Sequence, residues 1–483
     1  MQRNRKKLII SFLLWLDTYL GLKVSDLSRT QVQFHNRNCA CVLFSIKNLH
    51  WNLRKREMDC FVILTNRLVQ KALESVLLEL AIHKKKSYII VIDNTTDEIV
   101  LKLNKACIAT FNNKNILYID LYQQKKLIDR ISILSGYNKK FLMELLLAKE
   151  CDYGKIFNFS YLVATILSCD TIHRRDSDCF VQALSKNKYP ILEEEKFLKR
   201  KIREVENDII NETNIDGEER IYIAGSDYIG DWNFDVKLLQ QEDGQVLHKL
   251  YQLSNFSEKD IPLVVQQKYE DIDQNRPPKA VLNSSSRYMF WAEGGNISMY
   301  KIFQWVPNFI GRHAVGFDYH TYNMTCIWNV PSIYHLNRIE HKHEMKRKQE
   351  GPSIEYWKGI LKMNDYNLLL REYAEVVGSQ IMNTKMLCKI IKSGELPKQL
   401  KMAHTKMNLE ERLKNIDMVV DILNSSNIEK FNCHAKTLSA LSNDIIAEVD
   451  LDYAKSFELQ EIWNKLIYIC QKEQDDLLQI IKE

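Results

Sequence analysis

Residues 172–180, "IHRRDSDCF", set two arginines and two aspartates between apolar residues. Carboxylates at i and i+2 lie on the same side of an extended segment, and a bend can converge them on one cation. Hard divalent ions such as Mg²⁺ and Mn²⁺ take oxygen ligands, often one or two carboxylates, and let substrate phosphates complete the shell. A guanidinium matches phosphate oxygens in bidentate fashion, so Arg174 and Arg175 suit the phosphates of such a complex. Asp176 and Asp178 with these arginines therefore have the composition of a metal–diphosphate clamp. The bland alternative is a surface turn in which the aspartates pair with the neighbouring arginines. The spacing alone is weak evidence, because it recurs at Asp271 to Asp273 and at Asp450 to Asp452. What distinguishes the first copy is its place, at the end of a predicted strand.

That place follows from hydrophobic periodicity. "FVILT" (61–65), "YIIVID" (88–93) and "NILYID" (115–120) are short β-prone runs. Stretches with apolar residues at three- and four-residue spacing separate them. Strand, helix, strand, helix, strand predicts an α/β fold with a mostly parallel open sheet and flanking helices. A longer helical region, 139–168, leads into "DTIHRRDSD". In open parallel sheets the ligand sits beyond the carboxyl ends of the strands, which singles out Thr65, Asn66, Arg67, Asp93, Asn94 and Asp120 beside the aspartate pair. Asp93 has a helix-capping role open to it as well. The charged run 190–215 reads as a solvated helix, and "RIYIAGSDYIGDWNFDV" as a strand entering a glycine-bearing turn. Tyr228, Asp231, Trp232 and Asp235 there form either a sugar-stacking surface or core. Residues 354–483 hold one proline and repeated apolar spacing, predicting an all-helical C-terminal domain after a boundary at 348–353.

Order and spacing of these blocks resemble nucleotide-sugar-dependent glycosyltransferases of the GT-A fold, in particular the family-2-like enzymes and the polypeptide N-acetylgalactosaminyltransferases. "FVILTNR" resembles the first strand and its nucleotide-holding loop, which implies donor contacts from Thr65 and Arg67. "VIDNTTDE" resembles the second strand, with Asp93 at the base or ribose and Asn94 where a second aspartate is usual. The Asp-x-Asp pair follows about eighty residues later. "WAEGGNISMYKIFQWV" (291–306) resembles a segment in which a Gly-Gly turn lines the sugar pocket before an apolar helix, implicating Gly294 and Gly295 beside Trp291 and Glu293. "VGFDYHTYNM" (315–324) puts Asp318 where an acidic residue faces the acceptor. "VPSIYHLNR" (330–338), one residue shorter than the family's spacing, puts His335 where a third metal ligand stands; His341 and His343 follow in a basic run. The resemblance covers roughly 59–345. It implies Asp176, Asp178 and His335 around Mn²⁺ or Mg²⁺, with Arg67, Asp93, Arg175 and Asp176 on the nucleotide. Asp318 is then the general base if the reaction inverts the anomeric centre, or orients the acceptor if it retains configuration.

Bulk composition bounds the rest. The chain has 483 residues, 45% of them hydrophobic, enough for a substantial core and two or three domains. Lys plus Arg number 67 against 62 for Asp plus Glu, so no dominant nucleic-acid footprint is expected. Eleven cysteines without a C-x-x-C pair suggest a reducing, cytoplasmic setting. Residues 1–57 form a leader with a basic head and an apolar run from Leu8 to Leu16 that is too short to span a bilayer. Two readings of it stay open, a helix packed on the protein or a segment resting peripherally on a membrane surface. The expected activity is metal-dependent transfer of a sugar from a nucleoside diphosphate donor, a UDP-sugar first, to a glycan, peptide or small-molecule acceptor. The helical C-terminal region would recognise the acceptor or mediate homo-oligomerisation. A nucleotidyltransferase and a non-catalytic scaffold are the rival readings.

Overall fold

The computed structural model describes residues 58–482 apart from 84–86, 112, 149–150, 183–187, 232–235, 254–257, 260, 263–264, 267–276, 284–291, 343–351 and 379–381. Of the sequence candidates, the Leu8–Leu16 run, Trp232, Asp235, Asp271, Asp273, Trp291 and His343 lie outside the described residues. The chain divides into two compact units, Met1–Arg56 and Glu57–Glu483, and every described residue belongs to the second.

The predicted alternation is present: β1 (Met58–Thr65), α1 (Gln70–His83), β2 (Tyr88–Asp93), α2 (Glu98–Thr110), β3 (Ile116–Ile119), α3 (Leu121–Ser135), α4 (Lys139–Leu146), α5 (Tyr153–Ile166) and β4 (Cys169–Asp176). All four strands run parallel, in the order β3-β2-β1-β4. Parallel neighbours need crossover helices, and these cover both faces of the sheet. β1 shows the result, with Cys60, Val62 and Leu64 in one core and Phe61 and Ile63 in another under α1.

Beyond β4 come β5 (Cys179–Phe180), α6 (Pro190–Phe197), β6 (Ile209–Ile210), β7 (Ile223–Gly225), β8 (Tyr228–Gly230), α7 (Val236–Leu253), β9 (Ala280–Leu282), β10 (Ile297–Tyr300), α8 (His320–Ile327), β11 (Ser332–Tyr334) and β12 (Ile339–His341). They extend the sheet as β4-β10-β7-β11-β9-β6, in which β10 is antiparallel to both neighbours. The apolar helix expected after the Gly-Gly turn is thus a strand, because Ile297 to Tyr300 is drawn into the ladder between β4 and β7. The charged run from residue 190 is not one solvated helix either. Pro190 opens α6, which ends at Phe197, and 3₁₀ turns lead on to β6. Glu194 has no exposure at all. A second, small sheet, β5-β12-β8, stands at the carboxyl end of β4.

Helices α9 (Ile354–Val377), α10 (Thr384–Ser393), α11 (Glu395–Lys406), α12 (Leu409–Asn424), α13 (Glu429–Ala440), α14 (Ser442–Lys472) and α15 (Gln474–Lys482) make the C-terminal region all-helical. They do not stand apart from the sheet. Tyr366, Leu369, Leu400, Tyr453, Phe457 and Trp463 share one core with Val62, Ile90 and Phe309. Among the described residues no helix is long and apolar enough to cross a membrane.

Successive side chains of a strand point to opposite faces, so β4 sends its two arginines apart. Arg175 leaves toward α1 and α6, where Nε and Nη2 donate to Glu79 at 2.8 and 2.9 Å and Nη1 and Nη2 to Glu194 at 3.0 Å. All three side chains are inaccessible to solvent. Removing one member of a buried ionic cluster strands the others, typically at about 3–5 kcal/mol. Arg175→Met should therefore lower the unfolding free energy by that order in urea titration, whereas substitution of the exposed Lys102, paired with Glu98 on the surface of α2, should change it by less than about 1 kcal/mol.

Candidate functional site

β1 ends at Thr65, whose hydroxyl accepts from the Arg67 amide at 3.1 Å and donates to the Arg67 carbonyl at 2.8 Å. This tight turn aims Arg67 along the sheet rim. There its Nη1 donates to Asp178 Oδ2 at 3.0 Å. The turn is braced from below by Asn104, which donates to the Arg67 carbonyl at 2.9 Å and to Asp93 Oδ2 at 2.8 Å. Asp93 also accepts from the Thr95 amide at 2.8 Å and the Tyr118 hydroxyl at 2.6 Å, and it has no exposure. Its carboxylate is thus consumed inside the fold and supports the loop instead of facing a nucleotide. Asp120, at the next strand end, caps α3 through the amides of Tyr122 and Gln123.

Arg174 takes the face of β4 opposite Arg175. Its Nε donates to Asp176 Oδ1 at 3.2 Å and its Nη2 to Asp318 Oδ2 at 2.7 Å. The guanidinium carbon lies 3.5 Å from the centre of the Phe157 ring. Asp318 sits in a 3₁₀ turn, Phe317–Tyr319, that runs into α8. Burial pushes its carboxyl above the ordinary aspartate value, with Asp176 adding to the effect, even against the pull of Arg174. Next to it the Tyr319 hydroxyl accepts from the Gly294 amide and donates to Glu293 Oε2 at 3.1 Å.

After Asp176 the chain turns through Ser177 and Asp178 into β5, and β12 returns antiparallel beside it, pairing His341 with Cys179. His341 Nε2 stands 3.4 Å from Asp178 Oδ1, and its Nδ1 donates to the Asp231 carbonyl. Burial disfavours a charged imidazole, yet the hydrogen bond and charge of Asp178, the Asp231 carbonyl and Asp176 together raise the His341 pKa. Burial, followed by the charges of Asp176 and Asp178, drives the Cys179 thiol well above its usual value, so it stays protonated. One donor atom from each of Asp178, Cys179 and His341 lies within 4.8 Å of the other two.

The rim thus brings together Thr65, Arg67, Arg174, Asp176, Asp178, Asp318, Gly294 and Gly295. Arg175 does not reach it, because it occupies the other face of the strand. His335 does not reach Asp178 either. It follows β11, is wholly buried, accepts from the Asn337 amide at 3.3 Å through Nδ1, and has its pKa drawn down to about 4 by burial. The histidine that meets the aspartates is His341. Its place in an alternating "IEH" segment after the last large-sheet strand is the one sequence signal for it. Tyr319 and Cys179 carried none.

The glycine pair has a packing reason. A Cβ on Gly294 would lie 2.5 Å from Arg174 Nη2, and one on Gly295 would lie 2.4 Å from Cys179 Sγ and 3.3 Å from the Asp176 Cβ. The bare backbone lets the turn close on β4. Gly295→Ala should force the 176–179 turn outward and destabilise the chain by about 1–3 kcal/mol, read as a shift in denaturation midpoint. An unchanged midpoint would mean that the turn yields freely.

The sequence profile of a family of unknown function, DUF6271, matches residues 57–478. No curated protein shows a significant sequence match to the chain. Among solved structures, the chain is similar to the mannosyltransferase PcManGT from Pyrobaculum calidifontis, solved in complex with GDP-Man and Mn²⁺. The identity is 9%, the TM-score 0.33, and the alignment covers 88% of this chain and 95% of that one.

Proposed function

We propose that this chain, which belongs to the family DUF6271, is a metal-dependent glycosyltransferase that moves a sugar from a nucleoside diphosphate to an acceptor hydroxyl. The observation that carries the reading is the position of Asp176 and Asp178. They stand at the carboxyl end of a central strand of a mostly parallel sheet, where such folds place their ligands, with Arg67, Arg174, Asp318 and His341 gathered round them. The open sheet with flanking helices is also the architecture that the GT-A resemblance implies.

The donor set suits the expected cation. Carboxylate oxygens with one imidazole fit Mn²⁺, and Mg²⁺ if the carboxylates act alone. Asp178 already meets the Arg67 guanidinium and the His341 ring, so it faces groups that favour its charged form. Asp176, Asp178 and His341 would hold the ion, which when bound supplies Lewis-acid stabilisation of a departing diphosphate. Arg67, a quarter exposed at the tip of β1, binds phosphate oxygens in bidentate fashion. Thr65 sets the turn that presents it, and Gly294 and Gly295 let their own turn close against Arg174 and Cys179 at the edge of the donor site. Arg174, buried and doubly paired, stays in place and orients Asp318. Asp318 takes the proton of the acceptor hydroxyl as that oxygen attacks the sugar carbon.

Two measurements test this. In a thermal-shift panel of UDP, GDP and their sugars, at least one nucleotide should raise the melting temperature only with Mn²⁺ or Mg²⁺ present; at about a hundred times Kd the gain is roughly 2.7 kcal/mol. Asp178→Asn should abolish the shift. A panel without any response would leave the scaffold reading standing.

Asp318→Asn should keep the shift and lose about 10²–10⁴-fold in turnover. The working form of Asp318 is the carboxylate and its pKa is raised, so wild-type turnover should fall as the pH drops through that raised value. That limb should be absent from the residual rate of Asp318→Asn. The product must be a nucleoside diphosphate; release of pyrophosphate would assign the chain to nucleotidyl transfer.

A further inference from the structure

On the face of β4 away from the rim, His173 is almost wholly buried. Its Nδ1 lies 2.8 Å from Glu194 Oε2 and 2.8 Å from Ser298 Oγ. Glu194 is gripped through both oxygens by Arg175, and a carboxylate so paired can only accept. Nδ1 is therefore the ring nitrogen that donates to Glu194, and Nε2 is left on the far side of the ring. Among the described residues that nitrogen has no hydrogen-bond partner, and neither has Thr171 Oγ1, two residues earlier on the same face and equally buried. Unmet polar atoms in a dry interior are costly and call for a ligand.

The neighbours supply the rest of a coordination shell. Asp59 leaves β1 directly opposite Thr171 in the parallel register, and Phe61 opposite His173, so Asp59, Thr171 and His173 share one face. Glu195 follows Glu194 in α6. One donor atom from each of Asp59, His173 and Glu195 lies within 4.8 Å of the other two. The Lys199 ammonium rests on Asp59 at 2.9 Å, reaching it from a backbone in the left-handed region at φ 70°.

We propose that Asp59, His173 and Glu195 form a divalent-metal site, distinct from the rim, that ties β1, β4 and α6 together. One imidazole and two carboxylates suit Zn²⁺. Glu194 plays the part that metal-bound histidines require, accepting from the remote ring N–H and fixing tautomer and orientation. Lys199 is the counter-ion of the metal-free state and swings out, its partly exposed stem giving it room. The site does not depend on the glycosyltransferase reading.

The test uses the full chain carrying Asp178→Asn, so that the rim cannot account for uptake. After chelation and desalting, Zn²⁺ is titrated while bound metal and melting temperature are followed. The expectation is a single ion retained per chain with a higher melting temperature, and an anomalous peak at the zinc edge beside His173 Nε2 in crystals. Adding Glu195→Gln should weaken Zn²⁺ by roughly tenfold or more, measured against the metal-free melting temperature of the same variant. Absence of uptake, uptake indifferent to Glu195→Gln, or a peak elsewhere overturns the proposal and leaves Lys199 as the permanent counter-ion. Loss of nucleotide binding in Asp178→Asn with zinc uptake intact separates this site from the rim.

Discussion

Two adjacent guanidinium groups leave β4 in opposite directions, and each is buried among carboxylates. An isolated charge in that interior would cost several kcal/mol, so the position of β4 is coupled to the groups that meet it. Glu79 and Glu194 fix α1 and α6 against one face. Asp176 and Asp318 fix the rim and the entry to α8 against the other. A slip of β4 by one residue would send each arginine to the wrong side and leave four carboxylates uncompensated. The register that places Asp176 and Asp178 at the strand tip is thereby held from both faces.

Given that register, the rim is assembled from distant pieces of chain. The turn after β1 delivers Arg67, held in place by Asn104 and, behind it, by Asp93. β10 inserts antiparallel beside β4 and carries the Gly294–Gly295 turn close enough that any Cβ would collide with Arg174 or Cys179. The chain then passes through Asp318 and α8 before β12 brings His341 back across β5. The approaches of Gly294–Gly295 and of His341 depend on backbone–backbone ladders, and those residues accordingly sit at the ends of short strands.

The two Asp-x-Asp pairs among the described residues show how little the spacing says alone. Asp450 and Asp452 lie in α14, where Asp450 accepts from His404 at 2.9 Å and Arg412 at 2.7 Å, and Asp452 pairs with Lys362 at 2.8 Å. On a helix, residues i and i+2 do not face each other, and each carboxylate finds its own interhelical cation. Asp176 and Asp178 follow an extended strand and a turn, so the same letters share one cluster of charge. Secondary structure decides which of the two outcomes a motif reaches.

Local patterning determined the α/β class, the leading parallel strands, the all-helical C-terminal region and the strand end that carries Asp176, because burial on both faces and helical periodicity write themselves into residue order. The strand end also singled out Arg67, and the family resemblance Gly294, Gly295 and Asp318, each next to a turn or an element boundary. Asp93, Arg175 and His335, singled out with them, are held by internal partners instead. Whether a polar side chain faces a ligand or an internal partner depends on which residues lie across from it, and Tyr118, Asn104, Glu79 and Glu194 are brought there by packing of elements remote in sequence. The approach of His341, and not His335, to Asp178 likewise follows from the antiparallel pairing of β12 with β5, a non-local hydrogen-bonding decision that only the tertiary structure could take.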